Sequence, residues 1–254
     1  MLLTIDLGNT SAKFAIFDND TQKCFLHINS KQDEYVSLIK NFLYRNNLNE
    51  DLIDDVIVSS VVPSRSSLIE EAVETIFDKE AIFINPLDYY GIEIDTPNKE
   101  EVGSDLLVMC AYGHHLYEDE LLIISMGTAT VISHVTKDGV FKHCIISPGF
   151  GKIAETLWGN AAKLPEFEIK PTTSFLANNT VDAMNVGIYQ GYIGSLKYLL
   201  LGLKAELQIN PRIIGCGGFG KEVVNDIQEI EYFEADMVTS GLNYIYNRYF
   251  KKWN

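Results

Sequence analysis

The chain has 254 residues, 46% of them hydrophobic and 22% charged, which is enough apolar content to bury a core and argues against a disordered chain. Its formal net charge of −15 argues against sequence-independent nucleic-acid binding, which rests on Lys and Arg neutralising phosphates. Cys24, Cys110, Cys144 and Cys216 form no C-x-x-C pair, so reduced thiols in a cytoplasmic protein are expected rather than a zinc site or a disulfide framework.

The opening stretch IDLGNTSAKFAIFD, residues 5–18, reads as strand, turn, strand. A hairpin needs only turn residues at Gly8, Asn9, Thr10 and Ser11. It does not need Asp6 at the inner edge or Lys13 just beyond. Asp6 also interrupts the N-terminal apolar run, and no basic segment precedes it, so no secretory segment is expected. Residues 24–28 read as a third strand and residues 33–48 keep helical spacing. A buried strand is expected over 56–61. A helix follows, with Ser67 and Glu70 as a capping box at its start. Residues 81–84 form a short strand, and residues 100–117 a helix entered through Gly103, Ser104 and Asp105.

LLIISMGTATVISHVTKDG, starting at Leu121, repeats the opening layout. With Gly127 placed on Gly8, an offset of 127 − 8 = 119 residues, Ile124 falls on Ile5, Met126 on Leu7, Thr128 on Asn9 and Thr130 on Ser11. An offset near half the chain suggests two similarly folded domains, 1–118 and 119–254. The second half then predicts a strand over 141–147, a helix around 153–162, a long helix over 181–204 and a strand over 212–216. A closing helix over 238–249 has Arg248, Lys251 and Lys252 near its end. Tyr198 to Leu203 is an apolar patch too short to span a membrane. Mixed strands and helices place the chain in the α/β class with a mixed sheet in each half.

Three glycine-bearing turns follow predicted strands, at Gly8, at Gly127 and at Gly217-Gly218-Phe219-Gly220. Backbone N–H groups with Thr or Ser hydroxyls suit phosphate oxygens, and glycine keeps a Cβ out of the way. Two such hairpins suit a triphosphate, and the third turn a nucleoside. Asp6 beside phosphates suits Mg²⁺, directly or through water. Lys13 suits phosphate as a point charge, or is an exposed strand lysine. Asp105 alone fits a helix cap as well as a proton acceptor. His114 and His115 are neighbours and cannot share a helix face for a metal. Tyr189, Tyr192, Tyr198 and the C-terminal aromatics suit either a dimer interface or ordinary core.

These motifs together make the chain resemble the type III pantothenate kinase (Bvg accessory factor) family of the actin/hexokinase/Hsp70 ATPase superfamily. DLGNTSAKFAIFD resembles its first phosphate motif, GSDLLVM its Gly-x-Asp-Arg site, and GTAT its second phosphate motif. ISPGFGKIAETLWGNAAKLPEFEI, NNTVDAMNVGIYQG, GCGGFG and SGLNYIYNR resemble its Pro-Gly and Leu-Pro segment, Asn-Thr helix, adenosine turn and C-terminal helix. The resemblance implies two actin-like, ribonuclease H-like domains, each a mixed sheet flanked by helices. It implies ATP- and Mg²⁺-dependent phosphorylation of pantothenate to 4′-phosphopantothenate, the first step of coenzyme A biosynthesis, by a homodimer. Asp105 takes the place of the catalytic base. Asp6, Gly8, Asn9, Thr10, Lys13, Gly127, Thr128, Gly217 and Gly218 take the ATP and Mg²⁺ positions. Gly103, Ser104, Asp105, Leu106 and Thr180 take substrate positions. Three positions depart from the family pattern: Leu106 stands where the family has Arg, Ser125 where it has the Asp that binds K⁺ or NH₄⁺, and Thr96 where it has an aromatic residue. These departures keep two alternatives in view: a regulatory nucleotide-binding relative, and a kinase of another small hydroxyl compound.

Overall fold

The computed structural model describes residues 1–159 and 165–251, which divide into two compact units. One unit comprises Met1–Leu116 and the segment from Met237 onward; the other is Tyr117–Asp236. The repeat-based reading leaves residues 237–254 with the second half, whereas their contacts group them with the first.

The first unit begins with strands β1 (Leu2–Leu7), β2 (Ser11–Asp18) and β3 (Thr21–Asn29), followed by helix α1 (Tyr35–Arg45). Strand β4 (Asp55–Ser60), helix α2 (Pro63–Phe77), short strands β5 (Ile82–Phe83) and β6 (Glu93–Ile94), and helix α3 (Ser104–Tyr117) follow. The sheet order is β3-β2-β1-β4-β5, with β1 antiparallel to β2 and parallel to β4. This centres β1, whose alternating Leu3, Ile5 and Leu7 are wholly buried on one face. Tyr35, Ile39 and Phe42 of α1 and Ile69, Val73 and Ile76 of α2 close the core on the sheet. The start of α2 corrects the expected capping box. Pro63 opens the helix, where its missing N–H costs nothing, so Ser67 and Glu70 lie inside it.

The second unit contains β7 (Leu121–Met126), β8 (Ala129–Val135), β9 (Val140–Pro148), α4 (Phe150–Gly159), α5 (Thr180–Leu207), β10 (Arg212–Cys216), α6 (Gly220–Val223) and β11 (Tyr232–Glu234). These strands run β9-β8-β7-β10-β11, the order of the first unit repeated. Helix α4 starts at Phe150, and the predicted end of that helix at 160–162, with Lys163 and Leu164 of the Leu-Pro stretch, lies outside the described residues. The Asn179 side chain caps α5 by accepting from the Asp182 N–H at 2.9 Å. Helix α7 (Met237–Ile245) packs on β1, β2 and β4 of the first unit. It continues as a π-helical turn over Tyr246–Phe250 rather than as one α-helix, and Lys252 lies outside the described residues. All four cysteines are free. Among the described residues no helix is long and apolar enough to cross a membrane.

Candidate active site

Strand pairing sets Asp6 directly opposite Lys13 on the β1–β2 hairpin. Lys13 Nζ lies 3.8 Å from Asp6 Oδ2, and each side chain is 14% exposed, so solvent screens the pair only partly. Asp105 sits in the first turn of α3. Burial pushes its carboxyl above the usual carboxylate range. The Leu106 and Asp105 N–H groups and the Lys13 ammonium pull it back. The Leu106 N–H donates to Asp105 Oδ1 at 2.9 Å. Lys13 therefore acts electrostatically on both carboxylates.

Local chemistry explains this placement. An added Cβ on Gly103 would lie 2.5 Å from Asp105 Oδ1, so glycine there makes room for the carboxylate. The Ser104 hydroxyl points into the fold: its Oγ is 2.9 Å from Ser59 Oγ and donates to the Ser60 carbonyl at 3.1 Å. Ser59 is fully buried and pairs in register with Asp6, so these hydroxyls join the start of α3 to the strand end that carries Asp6. Leu106 is half-buried beside Asp105.

The turn between β1 and β2 is held from behind by Ser30. The Asn9 carbonyl accepts from Ser30 Oγ at 2.8 Å and the Thr10 carbonyl from Ser30 N–H at 3.0 Å. Gly8 N–H donates to Ser11 O at 3.0 Å. Engaging both carbonyls inside the fold removes oxygens that would repel a phosphate.

The second hairpin repeats this device. Gly149 N–H donates to the Thr128 carbonyl at 3.1 Å, just after β9, as Ser30 does just after β3. A Cβ on Gly149 would fall 2.1 Å from the Gly127 carbonyl oxygen. Gly217 has φ +94°, and a Cβ there would fall 2.5 Å from the Met126 oxygen, so glycine is required for the turn after β10 to close on β7. A Cβ on Gly218 would meet open space, so packing does not require glycine there. Thr128 is exposed at the hairpin tip and Thr180 is the exposed first residue of α5.

Register corrects part of the repeat alignment. Leu7 pairs with Ala12, and Met126 pairs with Thr130. The second turn is thus one residue shorter, and Thr130 corresponds to Ala12 rather than Ser11. Ser125 takes the place of Asp6, and Val131 that of Lys13. Thr130 is buried, with its Oγ1 2.8 Å from the Tyr192 hydroxyl. Among the described residues no three His, Cys, Asp or Glu side chains are grouped to hold a metal.

A family model described as type III pantothenate kinase matches residues 2–201. A type III pantothenate kinase of Agathobacter rectalis is 32% identical over 257 residues, covering 99% of each chain. The chain belongs to the type III pantothenate kinase family. Among solved structures, a conserved Baf-family transcriptional activator from Campylobacter jejuni superposes with a TM-score of 0.58 at 17% identity, covering 96% of this chain and 97% of that one. An activator of 2-hydroxyisocaproyl-CoA dehydratase from Clostridium difficile, with bound ADPNP, has a TM-score of 0.57 at 13% identity, covering 96% and 93%. At such identities the likeness shows the fold alone, that of the actin/hexokinase-like ATPases and kinases.

The structure brings Asp6, Gly8, Asn9, Thr10, Lys13, Gly103, Ser104, Asp105 and Leu106 together in the first unit. Gly127, Thr128, Ser125, Gly217 and Gly218 gather around β7 in the second. Sequence reading missed Ser30 and Ser59. A single serine after a strand carries no motif, and only the hydrogen bonds identify either one.

Proposed function

We propose that this chain transfers the γ-phosphoryl group of ATP to the primary hydroxyl of pantothenate, with Asp105 as the base. The observation that carries this reading is the Asp6–Lys13–Asp105 arrangement: two carboxylates served by one ammonium beside a turn whose carbonyls are tied back. A stable scaffold gains little from charges gathered in this way. Phosphoryl transfer needs a positioned acceptor hydroxyl, a proton acceptor and charge placed against the moving phosphoryl.

Asp105 accepts the proton of the attacking hydroxyl, and its upward-shifted carboxyl makes it a better acceptor than an ordinary aspartate. Lys13 favours the ionised form of that carboxyl and supplies charge to phosphate oxygens. Asp6 is a hard oxygen ligand with limited exposure. It fits Mg²⁺, which binds through one or two carboxylates together with water and phosphate oxygens. When bound, the ion neutralises charge on the phosphates. Within the first unit the Gly8–Thr10 turn is offered to phosphate, and Gly103 and Leu106, with Ser104 as the anchor beneath them, to the acceptor. Within the second, the Gly127–Thr128 turn is offered to phosphate and the Gly217-Gly218 turn to the nucleoside, and Thr180 stands where the family resemblance has an acceptor contact. The four free cysteines suit a cytoplasmic enzyme.

An ADP-release assay with and without pantothenate tests this. ADP should form only with pantothenate and Mg²⁺, matched by phosphorylated product. Nucleotide binding without pantothenate-dependent turnover overturns the reading. Because Leu106 replaces an Arg able to bind a carboxylate, Leu106→Arg should lower the pantothenate KM about tenfold.

We further propose a homodimer through α5. Gly187, Gly191, Gly194, Tyr198 and Leu201 alternate at spacings of four and three along its exposed side, with Tyr198 76% and Leu201 67% exposed. Tyr189 and Tyr192 are buried within the unit and take no part. Light scattering at micromolar concentration should give a dimer mass, and Tyr198→Glu should give monomer. A monomeric parent chain removes this face as an interface.

A further inference from the structure

A cavity of about 420 Å³ lies in the first unit between the last turn of α3 and the α7 face that continues into the π-helical turn. Its size is within the range of small-molecule sites, roughly 300–1,000 Å³. Tyr112 and His115 line it from α3; Ser240, Asn243, Tyr244 and Arg248 line it from the facing element. Phe17, at the end of β2 away from Lys13, contributes to its wall. Asp105 and His115 are ten residues apart on α3, about 15 Å at 1.5 Å per residue, so the cavity is remote from the candidate base.

Hydrogen-bonding groups line it, those of His115 and Arg248 on exposed residues. Asn243 is 5% exposed, and its Oδ1 accepts from Asn247 at 3.4 Å. Its amide hydrogens meet no acceptor among the described residues. The Ser240 hydroxyl likewise has no partner among them. His115 stacks on Tyr244, with ring centroids 4.1 Å apart and planes 13° apart, and neither ring nitrogen makes a hydrogen bond among the described residues. Arg248 forms no ion pair among the described residues, although acidic side chains outnumber basic ones 35 to 20 in the chain. Its charge acts on the Tyr244 hydroxyl, opposing the upward push of burial. Asp20, the carboxylate at the rim, accepts from Asn247 Nδ2 at 3.4 Å.

A π-helical turn is a rare element that often marks a functional site. An unpaired guanidinium suits an oxyanion, and stacked His115 and Tyr244 suit a flat or apolar body. We propose that this cavity binds a small organic anion, a carboxylate or phosphate ester on a flat or apolar body, at a site separate from the catalytic one.

The intact protein can be titrated by calorimetry with phenyl phosphate, benzoate, inorganic phosphate and benzyl alcohol. At least one aromatic anion should saturate, and the tighter of the two identifies the preferred oxyanion. Benzyl alcohol and inorganic phosphate should each bind about tenfold more weakly, since each lacks one half of the recognised chemistry. Arg248→Gln should weaken the aromatic anion about tenfold while leaving basal turnover and ATP affinity unchanged. Ser240→Ala should weaken it a few-fold, about the effect of one neutral hydrogen bond. The site is overturned if neither aromatic anion saturates at millimolar concentration, if Arg248→Gln binds as the parent does, or if ATP or pantothenate competes. None of the binding arms requires turnover, so a failure here is distinguishable from a failure of the kinase reading.

Discussion

The hairpins β1–β2 and β7–β8 share a frame but differ in chemistry. Each starts a sheet of the same strand order, and each turn is held from behind by the residue just after the third strand, Ser30 or Gly149. At the corresponding strand pair the first hairpin carries Asp6 and Lys13, and the second carries Ser125 and Val131. The backbone of the turn is therefore duplicated while the charge is not. At that strand pair the first hairpin presents a carboxylate and an ammonium, and the second a hydroxyl and an alkyl group.

The largest effect expected from this asymmetry is at Asp105. Asp105→Asn should lower kcat by about 10² to 10⁴, the usual share of a general base, while ATP affinity stays near that of the parent. Because burial raises its folded-state pKa above 3.8, the parent should lose kcat/KM as pH falls, with a midpoint above that value. The stability sign is opposite to that of a paired carboxylate. The folded state holds this proton more tightly, so stability falls as pH rises from the unfolded value through the folded one. Asp105→Asn should then be at least as stable as the parent at pH 7, with the difference vanishing in acid. A marked loss of stability at pH 7, seen by thermal melting, would make Asp105 a structural residue instead.

A smaller effect should separate the hairpins directly. Lys13→Met should lower kcat/KM about tenfold to a hundredfold through the loss of a charged contact to phosphate. It should also move the acidic limb upward, because Asp105 loses its stabilising cation. Val131→Thr, at the matching position, should change stability by less than about 1 kcal/mol and leave the pH profile alone. Equal effects from the two substitutions would abolish the distinction between the hairpins.

The smallest effect concerns Ser125, a neutral oxygen where the first hairpin has a carboxylate. Replacing KCl by tetramethylammonium chloride at fixed ionic strength should leave ATP affinity nearly unchanged. Ser125→Asp should create or strengthen a K⁺ response if other oxygens complete the site. A strong K⁺ requirement in the parent would show that another group does the work of the missing carboxylate.

Much of this protein was legible in the chain. Apolar runs broken by Gly8 and Gly127 mark both hairpins, because a buried central strand must be apolar and its turn must not be. The 119-residue offset anticipates the repeated strand order. Asp6, Lys13 and Asp105 stand out because their charges sit where folding alone asks for none. Other features have no local signature. The one-residue difference between the turns follows from pairing Met126 with Thr130, which turn composition does not dictate. Pro63 starts α2 although a good capping box lies four residues later, because proline suits the first helical position, where its missing N–H costs nothing. The roles of Ser30 and Ser59 depend on partners 20 or more residues away in sequence. The meeting of Lys13 with Asp105, and of Arg248 with Tyr112 and His115, depends on strands and helices packing across long sequence separations. Sequence alone determines which residues carry unexplained charge; only tertiary packing decides which of those charges meet, because proximity in space follows from burial of the apolar faces between them.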